Sequence, residues 1–218
     1  RLIEVFGLKG NKLIEPNPNQ YQDNKIDKHS DDEVPSIAVI PFDNKGADED
    51  IFYTHGITLD IISDIASGGL IRAASLKEVE ELGDIPFKEK AKALNVRYVS
   101  TGSLWKVGEL FRLSIELYDT KESKIMWSDN WEEDWKNLTI IKEKLSKSLL
   151  DALNKNSNHV DSLSQVNTEA YEYYLKGKYK INSIESKSED IDIGVDFIKK
   201  AIELDSNLIE ARESLAGI

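Results

Sequence analysis

Apolar positions along the chain change period several times, and each change predicts an element. Ser36 to Phe42 holds Ile37, Ala38, Val39 and Ile40 without a charge, the pattern of a strand covered on both faces. Asp43, Asn44, Lys45 and Gly46 break it. From Thr54 onward Ile57, Ile61 and Ile65, with Ile62 and Ala66 beside them, recur at helical spacing as far as Gly68-Gly69, so a helix is expected to lie on the sheet. Residues 70–75, LIRAAS, predict a second short strand. Ser75 and Glu78 have the spacing of a capping box, in which hydroxyl and carboxylate satisfy each other's orphan amides. Pro86 to Asn95 predicts another short helix, with Phe87, Ala91 and Leu94 on one face and Pro86 in the first turn, where a missing amide proton costs little.

The strongest β pattern follows. Val96 to Trp105, Leu110 to Tyr118 and Lys124 to Trp131 are separated by connections of hairpin length. In the middle strand Phe111, Leu113, Ile115 and Leu117 alternate with Arg112, Ser114 and Glu116, so one face is buried and the other meets water or a partner. Trp135 to Asn154 predicts a long helix with Leu138, Ile141, Leu145 and Leu149 in a stripe and Lys142, Lys144, Lys147 and Asp151 facing out. Asn156 to Val166 reads as a polar connector. The pattern then turns to helical pairs: Tyr171, Tyr174, Leu175 and Gly177 on one helix, Val195, Ile198, Ala201, Ile202 and Leu204 on the next.

Before the first strand, Arg1 to Ile14 carries enough apolar residues for one or two short strands with a turn at Gly7 to Gly10, either a hairpin edge for the following domain or an arm that pairs with another copy. Residues 15–35 are rich in Asn, Asp, Lys and Pro and read as a flexible linker, because so little apolar surface cannot offset ordering entropy.

Three stretches resemble known families. AVIPFDN, an acidic gap, Phe52-Tyr53 and the string GITLDIISD, followed by residues 94–131, resemble the TolB amino-terminal-domain-like module of bacterial multidomain regulators, over about Ser36 to Asn154. His55 departs from that family, which more often has an acidic residue before the glycine. The resemblance implies a small mixed sheet flanked by helices that signals or assembles, with no catalytic motif. Residues 194–217 resemble the second helix of a tetratricopeptide repeat running into the next, with Ala201 at the crossing, Gly194, Ile198 and Leu215-Ala216 at small and apolar positions, and Ser206 where proline is usual. Gly177 lies too far upstream for the first helix of that repeat, and the mostly polar stretch Ile181 to Ile193 is expected as an extended loop. IEVFGLKGNKLIEP resembles the final strand and exit of class III nucleotidyl cyclase domains, which implies a parent protein whose catalytic aspartates precede Arg1.

Composition narrows the partners. Among 218 residues, 28 Lys and Arg stand against 40 Asp and Glu, a net charge of −12, which opposes wrapping nucleic acid. There is no cysteine, and His29, His55 and His159 are too far apart to write a zinc spacing, so no metal or cofactor is expected. Neither glycine-rich phosphate motif is present. Asp48-Glu49-Asp50 and Glu132-Glu133-Asp134 are read as solvated charge runs. No apolar stretch approaches the roughly 20 residues that span a bilayer, and the cytoplasm is the expected location, with a parent that can be membrane-associated. The only methionine is Met126, so the chain is expected to begin inside a longer protein, and its last residues read as a cut as well.

Two places are candidates for function. Thr54, His55 and Gly56 stand where the first helix is expected to begin, beside the end of the first strand; they either cap the helix and let it pack closely, or offer His55 and the free amides of Gly56 and Ile57 to an anion or small ligand. Trp105, Trp127, Trp131 and Trp135 gather on the meander and its exit, where they either pack on cross-strand neighbours or, with Tyr171 and Tyr174, line an interaction surface. The expected architecture is a TolB-like α/β domain over 36–155 and the start of a tetratricopeptide-like array over 156–218. It would be a non-catalytic regulatory segment that meets protein partners or another copy through its sheet edge and helices. The alternative is a small-ligand sensor at His55 or between the two parts. An enzyme in its own right would need a titratable pair in a cleft, and no spacing here predicts one.

Overall fold

The computed structural model describes residues 34–153, 166–183 and 186–218. The expectations for residues 1–14, most of the linker and most of the 156–166 connector lie outside them. The charge-free run forms β1 (Ser36–Val39), buried at every position and internal to the sheet because both of its edges are paired. β3 (Arg72–Ala73) and β4 (Tyr98–Val107) both pair with it in parallel. The run ends sooner than its composition suggests: Pro41 has no amide to donate, and the chain re-pairs beyond it as β2 (Asp43–Asn44), parallel to β4. Asp43 and Asn44, expected as a break, are therefore strand.

β5 (Leu110–Asp119) and β6 (Lys124–Asp134) continue from β4 as an antiparallel meander, giving a mixed six-stranded sheet in the order β3-β1-β4-β5-β6. Gly108 adopts φ +61°, which a two-residue hairpin turn requires at its first position. Asp119 fixes the next turn: its carboxylate takes Nε and Nη2 of Arg97 and the amides of Lys121 and Glu122.

Side-chain alternation splits the packing between the two faces. Ile37 and Val39, with Phe111, Leu113, Ile115 and Leu117, meet α1 (Ile51–Ser67) and α4 (Leu138–Ala152). Ala38 and Val99 point the other way, to Val79 of α2 (Leu76–Glu81) and Ala91 of α3 (Phe87–Ala93). The Ser75–Glu78 capping box forms as expected, with Ser75 Oγ accepting the Glu78 amide and Glu78 accepting the Ser75 amide. Gly102 of β4 has no room for a side chain, since a Cβ would enter the Ser114 carbonyl and approach the Phe42 ring.

The helical part is α5 (Thr168–Asn182), α6 (Ser188–Leu204) and α7 (Ile209–Ala216). Most of the stretch 181–193 is helix, the end of α5 and the start of α6. Its polarity misled because those first turns of α6 face solvent, with Ile191 and Ile193 exposed. α5 and α6 cross at Gly177 and Gly194: a Cβ on Gly177 would stand 2.6 Å from Ile198 Cγ1 and 2.8 Å from the Gly194 carbonyl. Backbone cannot step aside as a side chain can, so Gly177→Ala is expected to lower the free energy of unfolding by about 1–3 kcal/mol. Urea denaturation followed by helical circular dichroism checks this, and an unchanged midpoint would mean the crossing has slack.

Candidate functional site

α1 starts at Ile51, one turn earlier than its apolar spacing suggests, and this moves the candidate residues from the helix end into its interior. The amides of Gly56 and Ile57 lie beyond the four that a helix leaves free. Thr54 does not cap, since its Oγ1 donates to the Ile51 carbonyl, and Thr58 Oγ1 does the same to Thr54. Thr54, His55 and Gly56 are all buried; α5 meets Gly56 through Leu175 and His55 through Tyr179, and Glu80 of α2 also faces His55. A Cβ on Gly56 would come within 2.7 Å of Leu175 Cδ2, so the glycine sets how closely the two helices approach.

The polar centre of this seam is Asp60, 3% exposed. It accepts three hydrogen bonds from one stripe of α5: Tyr171 Oη at 2.5 Å, Tyr174 Oη at 2.7 Å and Lys178 Nζ at 2.6 Å. The donors stand at i, i+3 and i+7, the spacing that puts side chains on one helix face. Burial, then the negative charge of Asp60, pushes both tyrosines well above the ordinary phenol range, so they remain donors.

One turn further on, Asp64 accepts Ser146 Oγ at 2.7 Å and lies 3.1 Å from Lys142 Nζ, which also reaches Glu210 of α7 at 3.6 Å. Lys142 is therefore not on the outer face of α4, as its place in the sequence suggests, but buried at 8% exposure. Burial works against its charge, and Asp64, Asp60 and Glu210 together outweigh that, holding its pKa above the usual lysine value. At the start of the seam Tyr53 Oη donates to Glu172 at 2.7 Å and accepts from Lys106 Nζ and Trp135 Nε1. Burial and the Glu172 bond raise the Tyr53 pKa.

His55 is the exception. It is 6% exposed, yet neither ring nitrogen makes a hydrogen bond. Nε2 lies 3.3 Å from Glu80 Oε1 without hydrogen-bond alignment, and the ring meets Tyr179 edge-on with centroids 5.3 Å apart. Burial, helped by the charge of Lys178, lowers its pKa to about 4, so the imidazole is neutral at pH 7.

The aromatic candidates divide three ways. Tyr171 and Tyr174 are buried, and the surface they meet is this chain's own α1. Trp127 and Trp131, 5.9 Å apart, pack half-buried against the main core. Trp105 alone stands on the open face, opposite Arg112, which is opposite Glu132 in turn. Arg112 Nε donates to Glu132 at 2.6 Å. With Lys45 and Asn130 they line a shallow groove of about 310 Å³. α2 and α3 cover this face at β1, at the start of β4 and at Tyr118 near the end of β5.

Sequence reasoning passed over Asp60. A signal was available: a carboxylate flanked by Ile57 and Ile61, with Asp64 one turn on, marks a second helix face that expects donors, and Tyr171, Tyr174 and Lys178 repeat at the matching period.

No family model matches the chain. It is 25% identical over 198 residues to a protein of Rhizobium meliloti (strain 1021) named "Putative adenylate cyclase 3"; the alignment covers 84% of this chain and 32% of that protein. The chain thus spans about a third of this relative's length. Among solved structures it is similar to TolB from Acinetobacter baumannii, with TM-score 0.44, 19% identity and coverage of 55% of this chain and 28% of that one. It is also similar to PelC, a dodecamer from Paraburkholderia phytofirmans, with TM-score 0.40, 20% identity and coverage of 57% and 91%. The resemblances to TolB-like and adenylate-cyclase-type proteins that the sequence motifs carry are met again here.

Removing Asp60 leaves an ammonium and two hydroxyls buried without an acceptor. Asp60→Ala is therefore expected to cost about 3–5 kcal/mol in urea unfolding. Combining Asp60→Leu with Tyr171→Phe, Tyr174→Phe and Lys178→Met should restore most of it, because an apolar replacement of the whole cluster strands no polar group. A combined variant as unstable as the single one would show that the cluster does not act as a unit.

Proposed function

We propose that this chain is a non-catalytic regulatory and protein-interaction segment of a larger bacterial signalling protein of the nucleotidyl cyclase type. In this reading its α/β part is a TolB-like domain, α5–α7 begin a tetratricopeptide-like array, and the segment works in the cytoplasm. The observation that carries it is where the buried polar groups go. Asp60, Asp64, Lys142, Lys178 and the two tyrosines converge on one another and join α5 to α1, and α1 to α4, the two helices that pack on the sheet, rather than lining a cleft that could hold a substrate. A part built this way acts by contact. Among the described residues β6 ends the sheet with an unpaired edge, and the outer face of the meander is open; both are places where a strand or a domain can be added. The likeness to the Rhizobium meliloti protein supports the cyclase context.

A second reading, a small-ligand sensor at Thr54, His55 and Gly56 or between the two parts, is favoured by the unbonded nitrogens of His55. Against it, Tyr171, Tyr174, Leu175 and Lys178 fill the seam.

Cyclic-nucleotide synthesis from ATP or GTP by the parent protein, whole and ending at Pro16, tests the first reading, with residues 17–218 alone as control. The control is expected to make no product, and the shortened parent to differ from the whole one in rate or oligomeric state. An identical rate and assembly would sink the regulatory role, and turnover by the control would sink the non-catalytic one.

A further inference from the structure

The α1–α5 seam has an unusual composition for a permanent interface. Its specific bonds are polar and directional, Asp60 with its donors and Tyr53 with Glu172, beside the apolar contact of Leu175 on Gly56. Interfaces that separate and re-form are more polar than permanent ones, because both faces must be acceptable to water. Here the separated surfaces would show tyrosine hydroxyls, carboxylates and lysines. Burying His55 without a hydrogen bond also makes the closed seam bear the cost of an unsatisfied polar group, which water would relieve on opening.

We propose that the seam is an acid-sensitive latch: closed, it holds α5–α7 on the α/β sheet through Asp60, and uptake of a proton by His55 favours the open form in which these helices leave α1. The groups facing His55 fix the direction. α5 presents Lys178 and Tyr179, and α2 presents Glu80. On its other side α1 turns Ile57, Ile61 and Ile65 to the core. Glu80, 3.3 Å from Nε2, pulls toward the protonated form, but burial and the charge of Lys178 outweigh it, so the closed form disfavours the proton. Freed into water, the imidazole titrates near its ordinary value of about 6.5.

Because the closed-form pKa is depressed to about 4, the contribution of His55 to closure is full above about pH 6.5 and is lost as pH falls below it. The open-to-closed ratio rises about tenfold between about pH 7.5 and pH 5.5 by this linkage. Burial raises the pKa of Glu80, so its protonation works in the opposite sense, and the His55→Phe background isolates the part that belongs to His55. This inference concerns motion within the chain and stands whether or not the parent is a cyclase.

The chain has no cysteine, so Leu175→Cys places a single thiol under Gly56 in the seam. Its rate of reaction with a disulfide reagent, divided by that of the unfolded chain at the same pH, measures opening. This ratio is expected to rise about tenfold from about pH 7.5 to pH 5.5, and to stay within about twofold when His55→Phe keeps the ring but removes the titration. Ile115→Cys, in the sheet core, is the control and should stay protected. No rise in the seam thiol, an equal rise in the His55→Phe background, or a parallel rise in the core thiol would each overturn the latch. Should His55→Phe fail to fold, the ring resonances of His55 in the otherwise native chain decide instead. Absence of titration in the folded state down to about pH 5 supports the latch, and titration near about 6.5 with the seam thiol still protected overturns it.

Discussion

A single carboxylate with three donors decides how this chain is put together. Asp60 is taken out of water by the packing of α1 against α5, and an unpaired charge there would cost more than the packing of the neighbouring side chains returns. Tyr171, Tyr174 and Lys178 satisfy it. Each comes from the same helix stripe, so α5 can neither slide one turn along α1 nor rotate about its axis without stranding the charge. A purely apolar contact would tolerate several registers. The price of that specificity is stability, since an apolar seam of the same volume would hold at least as firmly.

Much of the remaining architecture follows from this placement. With α5 seated on α1, Gly56 sets the spacing of the two helices, and the crossing at Gly177 and Gly194 carries α6 alongside α5. α7 then comes close enough for Glu210 to complete the charge of Lys142. The sheet contributes from below: Lys106 of β4 and Trp135 after β6 both reach Tyr53, which ties the far end of the seam to the strands. Sheet and helices thus share one continuous core, and a force or partner acting on the helical part meets the sheet through α1.

The outer face of the meander stands in contrast. Its polar side chains pair with neighbours on adjacent strands, as Arg112 does with Glu132 and Ser103 with Ser114. That leaves the face hydrated, and Trp105 exposed beside the stacked Arg112. The polar groups of the chain are therefore put to two uses: those that face water keep a surface open, and those that are buried hold a particular register.

The sequence by itself determined the elements whose information is local. Period-two alternation in β5, the uncharged run of β1, the Ser75–Glu78 box and the leucine stripe of α4 each fix a conformation through residues within a few positions of one another. Only the tertiary structure decided where the charges went. Lys142 carries every mark of a solvent-facing lysine, and Asp60 reads as one more polar residue on an amphipathic helix, because the groups that compensate them lie many residues away: Glu210 and Asp64 for the one, Tyr171, Tyr174 and Lys178 for the other. A buried charge is stable only in the company of its partners, and no periodicity along the chain reports which distant helix will bring them. For the same reason the neighbours of His55 suggested a helix start, and its place in the helix interior, buried without a hydrogen bond, became visible only when α5 and α2 were packed around it.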